Sequence, residues 1–420
     1  MGCHSRGAKG DSPDGQEQFM LRQYSKSIAH LQPHFSTRNK VSVRVALVTC
    51  VVFICLEFLR GHYNTGEVHL QNGLKLLRET HGRLDAGDRA ISILNTSREP
   101  IDDWIIEAFF RLHVHVQLLK HSYQHTYFVW ATGLEPPALT FESMNHARHR
   151  LDRLLDEIFR LTEQGRIYGF SKHPVYPIEV LDHHQRICDE LASWLMAFKA
   201  SKSALRARMP IRDGFGYQMV LMYHTMADIM AHTCLWPADE GIFDLHTDKF
   251  TSLLIQSIDL GKAHPAASEA LFGHGVEVAG SIMDRGWIPP LYYMALKCRV
   301  HRIRLHAVEL LSYTTHKEGI WDSQIAACIA RKVVEIEEGD FYKDVQKDDY
   351  FSFCSYPDER DLLLPKLPES YRIHEAQVLL PDEPTGNLHL LCKQRKEDGS
   401  WEVLAREYDV LSKCWIDGSG

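Results

Sequence analysis

Residues 44–77 read RVALVTCVVFICLEFLRGHYNTGEVHLQNGLKLL, and the fold class turns on them. Val45 to Leu56 is the strongest apolar stretch of the chain, bounded by Arg44 and Glu57. Its twelve residues would span about 18 Å as a helix, short of a hydrocarbon core of about 30 Å. The Val and Ile content suits a strand, but apolar character continues through Phe58 and Leu59, which fits a helix over 44–60 ending at Gly61. Beyond it Tyr63, Gly66, Leu70, Leu74 and Leu77 recur at spacings of three and four, the period of a second helix. Two helices joined by so short a turn form an antiparallel hairpin, and Gly66 lets them approach closely. The pair is similar to one tetratricopeptide-type unit, yet nothing matches it at a period near 34, so a solenoid of repeats is not expected.

The same period continues outward. Phe19, Tyr24, Ile28 and Leu31 share a helical face that Pro33 is expected to break. Further helices are predicted at 103–120, 141–163, 178–200, 217–234, 248–262, 268–284, 291–312 and 323–337, separated by turn signals such as Trp236-Pro237 and Pro289-Pro290. After Gly339 the pattern changes to strand-like segments at 371–380, 387–393 and 401–406, with Asp398-Gly399 as a hairpin turn. The expected architecture is all-α, a multi-helix bundle of packed antiparallel hairpins with a small C-terminal β-rich extension. Its parts are a disordered leader over 1–16, a helical body over 17–340 and an extension over 341–420 that carries a short β-hairpin.

Composition narrows the function classes. The 420 residues are 45% apolar and 24% charged, as in folded soluble proteins, and the formal net charge is −8. A domain that grips nucleic-acid phosphates by itself is usually strongly basic, so direct DNA or RNA binding by this chain is not expected. The 10 cysteines are scattered without any C-x-x-C, which fits reduced thiols in cytosol or nucleus. Residues 1–19 are polar and carry no secretory signal, so the Asn95-Thr96-Ser97 sequon is expected to be silent. Met1-Gly2-Cys3 misses an acylation signal because position 6 is Arg6, and no membrane attachment is expected.

Catalytic signatures of the phosphate-loop, zincin, nucleophile-elbow and EF-hand types are absent from the sequence. Gly273-His274-Gly275 with Gly280 has the wrong spacing for a dinucleotide fingerprint. Among 25 histidines, His113, His115, His121 and His125 crowd one region, and His146 with His149 and His183 with His184 form pairs. No acidic or Cys ligand accompanies them at a recognised spacing, so hydrogen-bonded or solvated imidazoles are expected rather than a metal site. Lys297, Arg299, Arg302 and Arg304, with His301 and His306 between them, make a basic cluster. In a net-acidic chain such cations are expected to be solvated or paired with carboxylates of the body, not held against phosphates. No catalytic, cofactor-binding or metal residue is assigned, and the chain is read as a non-enzyme.

Three motifs are specific as a set: Ile288-Pro289-Pro290-Leu291-Tyr292 through Lys297-Cys298-Arg299, Arg304 to Leu311, and Glu318-Gly319-Ile320-Trp321-Asp322-Ser323. They resemble the C-terminal signature of the fungal-specific regulatory domain found in binuclear zinc-cluster transcription factors. The hairpin residues Phe53 to Gly61, with His69-Leu70 and Gly73-Leu74, are similar to that family's N-terminal hairpin, and Phe141 to Leu155, with Ala147 and Leu151, fits a helix between them. These positions read as fold determinants: Gly319 as the left-handed cap that ends a helix, Asp322 or Ser323 as the cap of the next, and Trp321 as the buried lock of the turn. The resemblance implies transcriptional regulation in the nucleus, with homodimers common in the family. The family's six-cysteine cluster, which holds two zinc ions and contacts DNA, has no counterpart in residues 1–49, where Cys3 stands alone. Zinc is expected only if a cysteine-rich segment lies upstream, and sequencing transcripts across the start separates a true absence from a shortened gene. Without that module the resemblance implies action through protein partners of the transcription machinery, or through an effector. Control of a secondary-metabolite biosynthetic gene cluster is a natural extension. The alternatives are a helical scaffold or adaptor without a transcriptional role and, less favoured, a biosynthetic enzyme.

Overall fold

The computed structural model describes residues 15–36, 39–81, 100–120, 139–169, 175–207, 214–263, 286–313, 315–345, 351–381, 383 and 385–416. The expected leader over most of 1–16, the sequon at 95–97, His121 and His125, and the 268–284 helix with its glycines lie outside these residues.

The hairpin at 44–77 forms as the periodicity requires. Helix α1 covers Gly15–Ser36, α2 Lys40–Arg60 and α3 Tyr63–His81. Asn39 caps α2 by accepting from the Ser42 N–H, and Gly61 ends it in the left-handed region at φ 78°. Gly66 sits where a Cβ would lie 2.6 Å from the Phe58 ring, so the glycine is a condition of the close α2–α3 approach. α1 does not stop at Pro33 as expected but runs to Ser36. A proline forfeits one ladder hydrogen bond, and so near the end of a helix that loss does not terminate it at once.

α2 begins four residues earlier than its apolar run suggested, and at 21 residues it is long and apolar enough to cross a membrane by length and composition. Half of that apolar window is buried inside the fold, with Leu47, Ile54 and Phe58 in the core. Its Arg44 donates to both carboxylate oxygens of Asp102, at 2.5 and 2.7 Å, which ties α2 to the first turn of α4, Pro100–Lys120.

The bundle continues through α5 Met144–Gly169, α6 Ile178–Ala200, the short α7 Lys202–Ala207, α8 Gly214–Thr233, a 3-10 turn at Glu240–His246, and α9 Thr247–Ala263. Phe141, Trp194, Phe198 and Tyr217 pack ring on ring where α6 meets α8. Trp194 also donates its indole N–H to the Ala147 carbonyl of α5 at 2.9 Å.

One expected helix is two. The 291–312 pattern divides into α10, Ile288–Lys297, and α11, His301–Ser312, with Cys298 and Val300 extended at ψ 132° and 110°. The apolar spacing continues across the break, but the side chains of Arg299 and Arg304 satisfy the backbone there, as described below. Gly319 adopts the positive φ expected of it, 57°, in a different role. It turns a two-stranded ribbon, β1 Lys317–Glu318 against β2 Trp321–Asp322, instead of ending a helix. Trp321 is fully buried and donates to the His115 carbonyl at 3.1 Å, and Asp322 caps α12, Ser323–Glu338.

After the short helix α13, Glu359–Leu362, the chain ends in a four-stranded antiparallel meander. Its strands are β3 Ile373–Leu379, β4 Asn387–Arg395, β5 Trp401–Asp409 and β6 Cys414–Ile416, in that order. The expected turn at Asp398-Gly399 links β4 to β5, with Gly399 at φ 83°. The sheet exceeds the single hairpin foreseen, and Val378, Leu388, Leu390 and Cys392 bury one face in the same apolar cluster as the helices. The fold is thus a helical bundle with a C-terminal antiparallel sheet pressed against it.

Replacing Gly66 by Leu forces the buried Phe58 ring aside and should destabilise the protein by about 1–3 kcal/mol in urea denaturation. Gly15→Ala, with no atom within 4 Å of the added Cβ, should change stability by less than about 0.5 kcal/mol.

Candidate functional site

Helix ends leave carbonyls without partners, and the break between α10 and α11 leaves them inside the protein. Two arginines of the basic cluster supply the missing donors. Arg299 donates to the Leu296 carbonyl at 2.9 Å, and Arg304 to that of Ala295 at 3.3 Å. Each guanidinium then needs a counter-charge, because a buried unpaired cation costs several kcal/mol. Glu337, fully buried near the end of α12, accepts from Arg299 at 2.9 Å and from Arg304. Its Arg299-facing oxygen also takes the Ile373 N–H of β3 at 2.6 Å. Glu240 accepts from Lys297 and Arg299, both at 2.8 Å. Five charges, from α10, the break, α11, α12 and the 3-10 turn, therefore meet in one largely buried cluster of charge-assisted bonds. Burial pushes the Glu337 carboxyl up, but Arg299 and Arg304 outweigh it and hold the group below its ordinary value of 4.5.

The rest of the basic cluster is also partnered, only in part by the carboxylates expected. Arg302 donates to the Ser355 hydroxyl at 2.6 Å and stacks 3.3 Å over the Phe351 ring. His301 bonds Glu338 at 2.8 Å, and His306 the Phe353 carbonyl at 2.9 Å. These groups face inward and form no phosphate-contacting surface.

Next to the charged cluster, the sheet and the helices leave a recess that opens to solvent. Lys297 forms part of its lining and bridges the two layers: its ammonium reaches Glu240 and also donates to the His374 carbonyl of β3 at 3.1 Å. Burial pulls the Lys297 pKa down, and the Glu240 carboxylate opposes that pull. Phe243, Tyr293, Trp236 and Trp401 supply aromatic wall, while Arg166 pairs with Glu375 of β3 at 3.3 Å. Apolar walls with a few fixed polar groups are the usual make-up of a small-molecule site.

Among the described residues, the histidines singled out from the sequence do not converge on a metal. His113 lies 3.6 Å from Asp156, His183 bonds Glu157 at 2.7 Å, and His184 meets the Ala231 carbonyl at 2.9 Å. His146 packs edge-on against Phe141, and His149 beside Phe110. Among the described residues no three His, Cys, Asp or Glu side chains are grouped to hold an ion. The cysteines described are free thiols, with Cys234, Cys298 and Cys392 buried as small apolar side chains. Sequence reasoning missed the cavity, whose lining comes from α5, α8, the 3-10 turn, α10, α12 and three strands of the sheet. Only Lys297 had been singled out. The aromatic residues at turn and strand positions, Trp236 and Trp401, were the one signal that could have pointed to it.

No protein-family model matches the chain, and no solved structure matches it. Curated proteins do. The chain is 22% identical over 417 residues to the aspercryptin biosynthesis cluster-specific transcription regulator atnN of Emericella nidulans, a match covering 80% of this chain and 65% of that protein. It is 26% identical over 107 residues to the transcription regulator lscL of Purpureocillium lilacinum, covering 25% of this chain and 26% of that protein. The matches span less than two thirds of either relative. The chain is thus similar to fungal transcription regulators, and these relatives are named for regulation and not for catalysis.

Replacing Glu337 by Gln removes the counter-charge of Arg299 and Arg304 and should cost about 3 kcal/mol at neutral pH. A carboxyl held below its ordinary value stabilises the fold above that value, and the contribution is lost as pH falls through the folded one. The gap between wild type and Glu337→Gln in chemical denaturation should therefore close progressively below pH 4.5.

Proposed function

We propose that this protein is a nuclear fungal transcription regulator that controls a biosynthetic gene cluster, acting through protein partners and answering to an effector bound between bundle and sheet. The similarity to a cluster-specific regulator over 80% of the chain carries the reading. The net charge of −8 and the inward pairing of the basic cluster support action through partners instead of its own grip on DNA. The effector element is supported by the position of the cavity. Lys297 and Arg299 hold β3 to the helices at its edge, so a ligand that binds one arrangement of the sheet more tightly than another shifts the population of the two.

Deleting the gene and measuring transcripts genome-wide tests this directly. The expected result is a coordinated change in a contiguous set of biosynthetic genes, with a tagged copy of the protein concentrated in nuclei. Unchanged transcripts in every growth condition, or a tagged protein confined to the cytosol among partners outside the transcription machinery, would overturn it in favour of a scaffold.

A further inference from the structure

The cavity lining combines flat aromatic surface with a cation that has bonding capacity to spare. An ammonium carries three N–H donors. Lys297 uses two, toward Glu240 and the His374 carbonyl, and lies 4.9 Å from the centre of the Phe243 ring. Phe243 and Tyr293 meet edge to face at 6.5 Å beside it. Toward solvent stand the partly exposed Trp236 and Trp401, and Lys393 lies 4.8 Å over the Trp401 ring. Lys297, Lys393 and Arg166 outnumber the lining carboxylates Glu240 and Glu375, and Glu240 is shared with Arg299 outside the cavity.

We infer that this cavity binds a small planar aromatic carboxylic acid, its ring against Phe243 and Tyr293 and its carboxylate on the third N–H of Lys297. A neutral alcohol of the same shape fills the apolar wall but offers that donor only an uncharged acceptor, a weaker bond than a carboxylate makes. The assignment deepens the effector reading and rests on it. A carboxylate on the third N–H shares the Lys297 charge with Glu240 and sits beside the His374 contact, so it bears on one of the contacts that hold β3 in place.

Isothermal titration of the purified full chain with 2-naphthoate, against 2-naphthalenemethanol as its neutral twin, tests the chemistry. Naphthoate should bind about tenfold or more tightly than the alcohol, the size of one charge-assisted hydrogen bond. Lys297→Met should abolish that preference. Should this variant fail to fold, Trp401→Ala, which removes partly exposed aromatic wall and none of the Lys297 partners, should weaken both probes about fivefold while keeping the preference for the acid. Equal binding of acid and alcohol, no binding of either, or unchanged affinity in Trp401→Ala would overturn the assignment. Hydrogen exchange across 373–379 separates it from the effector reading. Exchange altered by naphthoate supports both. Tight, Lys297-dependent binding that leaves this exchange unchanged keeps the ligand class and removes the effector role.

Discussion

The carboxylate of Glu337 is held where it is by two arginines that are themselves needed to finish a broken helix, and the remaining architecture follows from that mutual requirement. Arg299 and Arg304 satisfy the carbonyls that α10 exposes when it stops at Lys297. Their charges are tolerable inside the protein only because α12 delivers Glu337 and the 3-10 turn delivers Glu240. Glu337 in turn receives the first N–H of β3, which sets where the sheet begins. Removing water from so many charges is costly, and their attraction offsets the cost only when every partner arrives in good geometry. The cluster therefore favours one arrangement of helices and sheet over near alternatives.

That arrangement also explains the cavity. A twisted sheet laid over helix ends cannot follow both surfaces, and the corner between α10, the 3-10 turn and β3 stays open. Lys297 occupies the boundary, with its ammonium in the charged cluster and its flank in the cavity lining. A molecule in the recess thus touches the joint between the two layers. The proposed effector response would act at this joint, because a ligand can shift only an equilibrium that its contacts distinguish.

The legibility of these parts from sequence was uneven for physical reasons. The α2–α3 hairpin was readable because its face repeats every three to four residues and Gly61 and Gly66 mark the turn and the contact. Asp322 as a cap was readable because the N–H groups it accepts from belong to its own neighbours in the chain, and Trp321 as a buried lock because so large an apolar ring beside a turn leaves water, although the His115 carbonyl it meets is far away in sequence. The break at 298–300 was not, since Leu296, Val300, Ile303 and Ala307 keep a helical period straight through it. Gly319 was placed in the right backbone region but the wrong element, because a left-handed residue serves a helix cap and a tight ribbon turn equally well. The fourth strand went unseen because three residues, Cys414–Ile416, carry too short a pattern to detect.

Composition and periodicity by themselves determined the class of fold, the hairpin, the bulk of the core helices and the presence of strands after Gly339. These follow from which side chains leave water and how often they recur, and both are local properties. Only the tertiary structure decided where the helix at 291–312 divides, which carboxylates neutralise the arginines and where a ligand can enter. Those outcomes depend on groups more than thirty residues apart, such as Arg299 with Glu337 and Lys297 with His374, whose meeting is set by packing and leaves no spacing in the chain to read.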